Sequence, residues 1–299
     1  RRSKEPDSMT VHDPTLDFQK VAKLGISVPM ASFLGFIALA VVSWASILWG
    51  GKSGFSELFM AGTWAGVAEF IGQLLGRGTE RTPAFLDFAS WRDALWLSLD
   101  TIAMSVLAIG FAALAVLLTF LPAARNVAFG ELSGNRSAIG CAGFFLMRGV
   151  FVFTRGVPEL LWAMLIVFVF SPGILPGAIA LGLHNYGILG KLSAEVVEDL
   201  DPRPARALRT AGASNLQMLL YGVLPQLLPQ FLTYMLYRWE VVIRTTIVVG
   251  FVAAGGLGRE FRLGMSFFQY DKVMLFLMCY LLLVLGVDLI AAWLRRLVR

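Results

Sequence analysis

The chain has 299 residues, of which 57% are hydrophobic and only 15% are charged, and its mean hydropathy is +0.72. Soluble domains are about 45–50% apolar and about 25% charged, so this composition excludes a soluble protein and predicts an integral membrane protein. The net charge of +5 fits the excess of Lys and Arg in cytoplasmic loops of membrane proteins, and it gives no support to nucleic-acid binding.

Six apolar runs follow one another along the chain, and each is long enough to cross a bilayer. The first run is uncharged, the second contains Asp100 near its start, and the third is interrupted by Arg148, Arg155 and Glu159. We therefore predict an all-α polytopic membrane fold with six transmembrane helices. The six runs cover residues 28–49, 94–122, 138–170, 174–194, 219–249 and 273–294.

Residues 50–93, between the first and second runs, are too mixed in polarity to cross the membrane. Their apolar residues recur at roughly helical spacing, which is typical of an amphipathic helix lying in the membrane interface. A helix packed on the protein's own surface explains the same pattern equally well. We expect this segment to be external and to precede a five-span core, residues 94–294.

The distribution of Lys and Arg predicts the orientation of the chain. With the N-terminal segment, residues 1–27, inside the cell, the cytoplasmic pieces hold 13 of these residues and the external pieces hold 6. Because cytoplasmic loops are enriched in Lys and Arg, we expect residues 1–27, 195–218 and 295–299 to be cytoplasmic.

The most informative loop is patterned as two short helices. Asp201 can cap the first helix, with Pro202 in its first turn, and Gly212 can adopt the left-handed conformation that ends a helix. Ser214 and Gln217 then match a capping box and begin a second helix, which runs toward the fifth span. A partner that grips such a helix can pull on two spans at once, which is what a transporter driven by a separate ATPase requires.

This loop resembles the EAA loop of ATP-binding-cassette importer permeases. In that pattern, EAA is followed by three residues, Gly, nine residues and Ile-x-Leu-Pro. The matching residues are Ala207, Gly212, Leu224 and Pro225. Three positions depart from it: Arg206 replaces the glutamate, Leu208 the second alanine and Gly222 the isoleucine.

The wider sequence resembles the permease of phosphonate importers, most strongly over residues 184–260. This resemblance implies a type I importer permease that forms a homodimer in the bacterial inner membrane. It also implies two or more cytoplasmic ATPase subunits, which use ATP and Mg, and an external solute-binding protein. The implied cargo is phosphonate or a related phosphorus oxyanion, such as phosphite or hypophosphite.

Two groups of residues are the candidates for these roles. The candidates for contact with the ATPase are Glu195, Glu198, Asp201, Arg203, Arg206, Arg209, Gly212, Ala213 and Ser214. The alternative is that they form a solvated, positively charged loop. For the translocation path or its gate, the candidates are Arg155, Glu159, Arg238, Glu240, Arg244, Gly255 and Gly256.

The alternative for the charged members of the second group is structural. Glu240 and Arg244 are four residues apart, as are Arg155 and Glu159, and this spacing favours ion pairs along one helix. Asp288 is expected to reach water or Arg295. His184 is expected to be a hydrogen-bonded packing residue rather than a ligand, and an ordinary turn would explain the glycines.

Other functions have less support from the sequence. The nearest approach to a nucleotide-binding loop, residues 51–53, lacks the first glycine of a P-loop, so we expect ATP hydrolysis in another subunit. No catalytic, cofactor or metal residues are assigned, since paired carboxylates and a nucleophile–base set are missing at catalytic spacing. An importer of another small polar solute and an ATP-independent channel or scaffold remain alternatives.

Overall fold

The computed structural model describes residues 27–49, 54–79, 81–130 and 137–298, and it omits the side chains of residues 253 and 254. Every regular element in these ranges is helical. The chain divides into two compact units, residues 1–70 and 71–299. The expected cytoplasmic N-terminal segment lies outside the described residues except for Ser27.

The first unit contains the first apolar run, which forms helix α1, Val28–Trp49. A helix of 22 residues is about 33 Å long and can cross the roughly 30 Å hydrocarbon core of a bilayer. None of its side chains is buried within the described protein. A short 3₁₀ helix, Phe55–Phe59, and helix α2, Ala61–Leu74, follow. That α2 lies in the membrane interface stays a prediction.

The second unit begins after a 3₁₀ turn, Ala84–Leu86, with the long helix α3, Phe88–Thr119. The Asp87 carboxylate caps α3 by accepting hydrogen bonds from the Ser90 hydroxyl (2.8 Å) and from the Ser90 N–H (3.0 Å). These bonds, that of the Ser90 hydroxyl first, hold the pKa of Asp87 below its usual value. The short helix α4, Arg125–Ala128, follows α3.

The third apolar run is not one helix, as the sequence suggested, but two. Helix α5, Ala138–Gly156, ends where Val157 becomes extended, and helix α6, Glu159–Val169, begins after Pro158. Proline disfavours the helical conformation of the residue before it, which accounts for the break. The 11 residues of α6 span only about 17 Å, so α6 is too short to cross a bilayer alone.

Helix α7, Ile174–Asp199, lies at the centre of the second unit, because α3, α5, α6 and the later helix α10, Leu224–Val249, all pack against it. Small residues allow this packing. A β-carbon on Gly187 would lie 2.6 Å from the carbonyl oxygen of Phe151, and one on Gly190 would lie 2.5 Å from its ring. Close helix approach at small residues is typical of membrane bundles.

The remaining elements follow α7 in chain order. They are α8 (Arg203–Thr210), α9 (Asn215–Met218), a π-helical turn (Leu219–Val223), α10, a second π-helical turn (Gly250–Ala254), α11 (Gly256–Ser266) and α12 (Tyr270–Val298).

Four helices of the described chain, α1, α3, α5 and α12, are long and apolar enough to span a membrane. A fifth span results if residues 215–252 and the following α11, bent by 47°, are counted as one. The structure therefore confirms the all-helical membrane fold, whereas the count of six spans stays a prediction.

Candidate functional site

The short helix α8 lies between the end of α7 and the start of α10. Its end forms as the sequence predicts, whereas Pro202, expected in its first turn, lies just before its first residue. At its start, the Asp201 carboxylate accepts a hydrogen bond from the Arg203 N–H at 3.0 Å. At its end, Gly212 has a φ of 84°, and the Ala213 N–H donates to the Leu208 carbonyl at 3.0 Å. Gly212 thus ends α8 in the left-handed conformation that glycine adopts without strain.

The predicted capping box is present at the start of α9. The Gln217 N–H donates to the Ser214 hydroxyl at 3.3 Å, and the Gln217 side chain accepts from the Ser214 N–H at 2.9 Å. From α9 the chain continues through the first π-helical turn into α10. A displacement of α8 and α9 can therefore reach α10 through nearly continuous helix.

One face of α8 packs against that π-helical turn. Ala205 is 2% exposed, and a β-carbon on Gly222 would lie 3.3 Å from the Ala205 Cα and 3.2 Å from the Leu208 Cδ1. The absence of a side chain at residue 222 therefore allows α8 to approach. The three arginines of α8 are exposed: Arg203, Arg206 and Arg209.

Two of the predicted coupling residues do not lie in the loop, because α7 continues to Asp199. Glu198 accepts hydrogen bonds from the Arg148 guanidinium and from the Arg125 N–H, both at 2.6 Å. Glu195 lies 3.4 Å from the Lys191 Nζ. Both glutamates therefore bind groups of this chain near the junction of α4, α5 and α7.

Arg148 is a residue whose role the sequence reasoning missed. Besides binding Glu198, it donates to the Ala123 carbonyl at 2.9 Å, and Glu195 lies 4.0 Å from it. A neighbouring bond, from the Asn126 side chain to the Val197 carbonyl at 2.6 Å, ties the same elements together. The signal was a charge inside an apolar run, which requires a partner in the membrane.

The ion pair expected between Glu240 and Arg244, four residues apart on α10, does not form. Glu240 instead binds Arg295 at 2.5 Å, and Arg244 binds Asp288 at 2.8 Å. Both partners lie on α12, which packs against α10. Asp288 therefore does not bind Arg295, one of its two expected partners, and its side chain remains 34% exposed.

The ion pair expected between Arg155 and Glu159 is also missing, because the break at Val157–Pro158 lies between them and removes the helical spacing. The Glu159 Oε2 lies 3.3 Å from the His184 Nε2 of α7. The His184 Nδ1 lies 3.0 Å from the carbonyl oxygen of Val157, in agreement with a hydrogen-bonded histidine.

The same level of the bundle contains a second polar contact. Arg238 donates through Nε to the Asn185 side chain at 2.9 Å, and Asn185, which is buried, donates to the Leu181 carbonyl at 2.7 Å. Glu159 also attracts Arg238 electrostatically. We name Glu159, His184, Asn185 and Arg238 the polar cluster; they come from α6, α7 and α10.

The predicted hinge glycines form a tight turn before α11. Gly255 and Gly256 have φ values of 93° and 65°, and a β-carbon on Gly256 would lie 2.6 Å from the Thr101 hydroxyl. That hydroxyl accepts a hydrogen bond from the Leu257 N–H at 2.9 Å. The turn is therefore fixed against α3. Among the described residues, no three His, Cys, Asp or Glu side chains are grouped so that they could hold a metal ion.

Comparison with known proteins identifies relatives of this chain. Residues 127–299 match the family described as binding-protein-dependent transport system inner membrane component. The phosphite transport system permease protein PtxC of Stutzerimonas stutzeri is 37% identical over 219 residues, which are 73% of this chain and 75% of that protein.

A second relative and a solved structure extend the comparison. The phosphate-import permease protein PhnE of Mycolicibacterium smegmatis is 33% identical over 197 residues, 66% of this chain and 37% of that longer protein. The inward-facing MetNI methionine ABC transporter matches 69% of this chain and 97% of its own, with a TM-score of 0.56 and 15% identity. At this identity the match shows the fold alone, that of a type I ABC importer permease.

Proposed function

The chain belongs to the family of binding-protein-dependent transport system inner membrane components, and we propose that it moves a small phosphorus oxyanion across the membrane. It is the permease subunit of an ABC importer, and in this family ATP is hydrolysed by a separate subunit. The observation that carries the proposed cargo is the 37% identity to a phosphite permease over about three quarters of both proteins. Phosphite, phosphonate and hypophosphite are the expected cargoes.

The proposed assembly contains two copies of this chain, two cytoplasmic ATPase subunits that bind ATP and Mg, and an external solute-binding protein. Both termini and the segment from Asp201 to Ser214 are then cytoplasmic, in the inner membrane of a bacterium. The excess of Lys and Arg in these segments supports that orientation.

Helix α8 is the proposed contact with the ATPase. It is held on its inner side by Ala205 against the π-helical turn and presents exposed arginines, including Arg206 and Arg209, on its outer side. Because α8 lies between α7 and α10, a movement of the ATPase against it would displace both helices. Glu195 and Glu198 would act indirectly: their ion pairs with Lys191 and Arg148 fix the C-terminal end of α7, which directly precedes α8.

The cargo path is proposed to pass the polar cluster and Arg155. These side chains come from α7 and from helices that pack around it, and they bring cations to a membrane level where a translocated anion needs them. Glu240 and Arg244 are assigned a structural role instead, because each is paired with α12. The turn at Gly255 and Gly256 is the proposed hinge of an external gate.

Purification of the tagged permease from its native membrane in mild detergent tests this function. We expect an ATPase subunit to co-purify, and we expect its ATP hydrolysis in lipid nanodiscs to rise when the binding protein carries phosphite or a phosphonate. Stimulation by methionine or another non-phosphorus solute, with none by the phosphorus oxyanions, would overturn the proposed cargo. A permease that purifies alone as a stable oligomer would favour an ATP-independent channel.

A further inference from the structure

His184 lies between two hydrogen-bond acceptors, one on each side of its ring. Its Nδ1 is 3.0 Å from the Val157 carbonyl oxygen, and its Nε2 is 3.3 Å from the Glu159 carboxylate. A backbone carbonyl can only accept a hydrogen bond, and an ionised carboxylate can also only accept. A neutral imidazole has one N–H and one lone pair, so it can satisfy one of these neighbours but not both.

The Val157 carbonyl requires the His184 N–H because the helix break removes its usual donor. In an unbroken helix the Leu161 N–H would bond to Val157, but here it donates to the Pro158 carbonyl at 3.0 Å. An unpaired carbonyl at membrane depth is costly, and side chains of neighbouring helices commonly satisfy such groups. A hydrogen bond from His184 to this carbonyl requires the ring proton to lie on Nδ1.

We infer that His184 and Glu159 form a proton-binding site, in which one additional proton lies on the His184 Nε2 and faces the Glu159 carboxylate. With that proton, His184 donates to both neighbours. It then links α7 to the helix break at Val157 and to Glu159, the first residue of α6. Without it, the Nε2 lone pair faces a carboxylate, and the ring can avoid this contact only by leaving the Val157 carbonyl.

Helices α5 and α10, which pack against α7, bring Arg155 and Arg238 toward this part of the bundle. Arg238 on α10 attracts Glu159, and Arg155 on α5 follows the buried Thr154, with its backbone packed against Gly187 of α7. Helix α3 has no charged side chain at residues 104–111, the part of it that packs near Gly182. The residues of the second π-helical turn are also uncharged.

Proton occupancy would set the charge of the path. With the proton bound, the polar cluster contains two cations, His184 and Arg238, and one carboxylate. If the proposed oxyanion cargo is correct, this positive balance favours its passage; the proton site itself does not depend on which cargo is carried.

Solid-state NMR of the full chain in lipid vesicles can count the protons on the ring directly. The chain has two histidines, so a His12→Asn variant labelled with ¹⁵N-histidine and purified through a tag without histidine reports His184 alone. At neutral pH we expect two N–H correlations from the ring. A single N–H correlation would overturn the proposal.

The Glu159→Gln variant provides the second test. An amide can donate to the Nε2 lone pair of a neutral imidazole, so we expect one N–H correlation, on Nδ1, in place of two. A matched control, Glu260→Gln on α11, should keep two. Two protons on His184 in Glu159→Gln would show that the carboxylate does not hold the proton. If this variant does not fold, the spectrum of the chain with native Glu159 still decides the proposal.

Discussion

The Leu208 side chain fills the space that residue 222 leaves open: a β-carbon on Gly222 would lie 3.2 Å from the Leu208 Cδ1. In the EAA pattern that this loop resembles, the position of Leu208 is a small alanine and that of Gly222 is a large isoleucine. The two departures therefore exchange a small and a large residue across one contact. The larger side chain at residue 208 compensates in volume for the missing one at residue 222, so the packing of α8 against the π-helical turn is retained.

The substitution Gly222→Ile tests this exchange. The new side chain would overlap Leu208 and the Ala205 backbone, and overpacking of this kind typically costs about 1–3 kcal/mol. We expect α8 to be displaced and ATP-driven uptake to fall at least several-fold. The double variant Gly222→Ile/Leu208→Ala should recover most of the uptake. Equal loss in the single and double variants would contradict the exchange.

The left-handed turn at Gly212 is predicted to be required for coupling. In the described part of the chain, no atom beyond Gly212 and its two neighbours lies within 4 Å of a β-carbon on this residue, so its φ of 84° is what restricts substitution. Gly212→Pro cannot adopt this φ and loses the N–H that donates to the Arg209 carbonyl at 3.0 Å, so we expect uptake to be abolished. Asparagine tolerates this conformation, so the Gly212→Asn variant should keep most of the uptake. Uptake assays of both variants at matched membrane levels compare them.

The exposed arginines of α8 are predicted to bind the ATPase. Because Arg206 and Arg209 are exposed, the double reversal to Glu should leave the permease folded but weaken ATPase co-purification by at least tenfold. The control is Arg259→Glu on α11, whose proposed location is external. Retention of the full amount of ATPase by the α8 variant, measured by quantitative mass spectrometry, would count against this contact.

The Arg148–Glu198 pair is predicted to stabilise the junction of α5 and α7. Arg148→Met leaves a largely buried carboxylate without its charged donor, and we expect a loss of about 1.5–3 kcal/mol in unfolding free energy. The double variant Arg148→Met/Glu198→Leu should be closer to the native stability, because it removes both charges. Unfolding in sodium dodecyl sulfate, followed by circular dichroism, measures all three. Additive losses would show that the two side chains do not act as a pair.

The Arg244–Asp288 pair predicts a charge-swap result. Arg244→Asp or Asp288→Arg alone places two like charges together on α10 and α12 at membrane depth, so each should reduce the amount of folded protein in the membrane. The combined swap should restore it. If Arg244→Asp alone abolishes uptake without loss of protein and the swap does not restore it, Arg244 acts in the path instead.

Local signals made the coupling loop predictable from the sequence. Asp201, Gly212 and Ser214 act on backbone groups within a few residues, so their effects are the same whatever packs around them. The break in the third run was also encoded locally, by Pro158, but the apolar residues on both sides suggested continuity. Hydropathy alone does not distinguish one helix from two.

The partners of the membrane charges could not be predicted in this way. Arg244 and Asp288 are 44 residues apart, and Arg148 and Glu198 are 50 apart, so their contacts depend on how the helices pack against one another. Spacing along one helix favoured Glu240 with Arg244, but α12 offers each a partner across the interface. Likewise, the environment of His184 follows from a break in a different helix.

ATP-dependent accumulation of phosphite in proteoliposomes tests the central claim most directly. The vesicles would contain the permease with its co-purified ATPase. The binding protein and phosphite would be added on the side of the membrane that exposes the external face of the permease. We predict that phosphite accumulates inside only when ATP is available to the ATPase, and that Gly212→Pro abolishes accumulation while Gly212→Asn retains it. Phosphite entry at the same rate without ATP, or in the Gly212→Pro variant, would contradict the account of an ATP-driven permease coupled through α8.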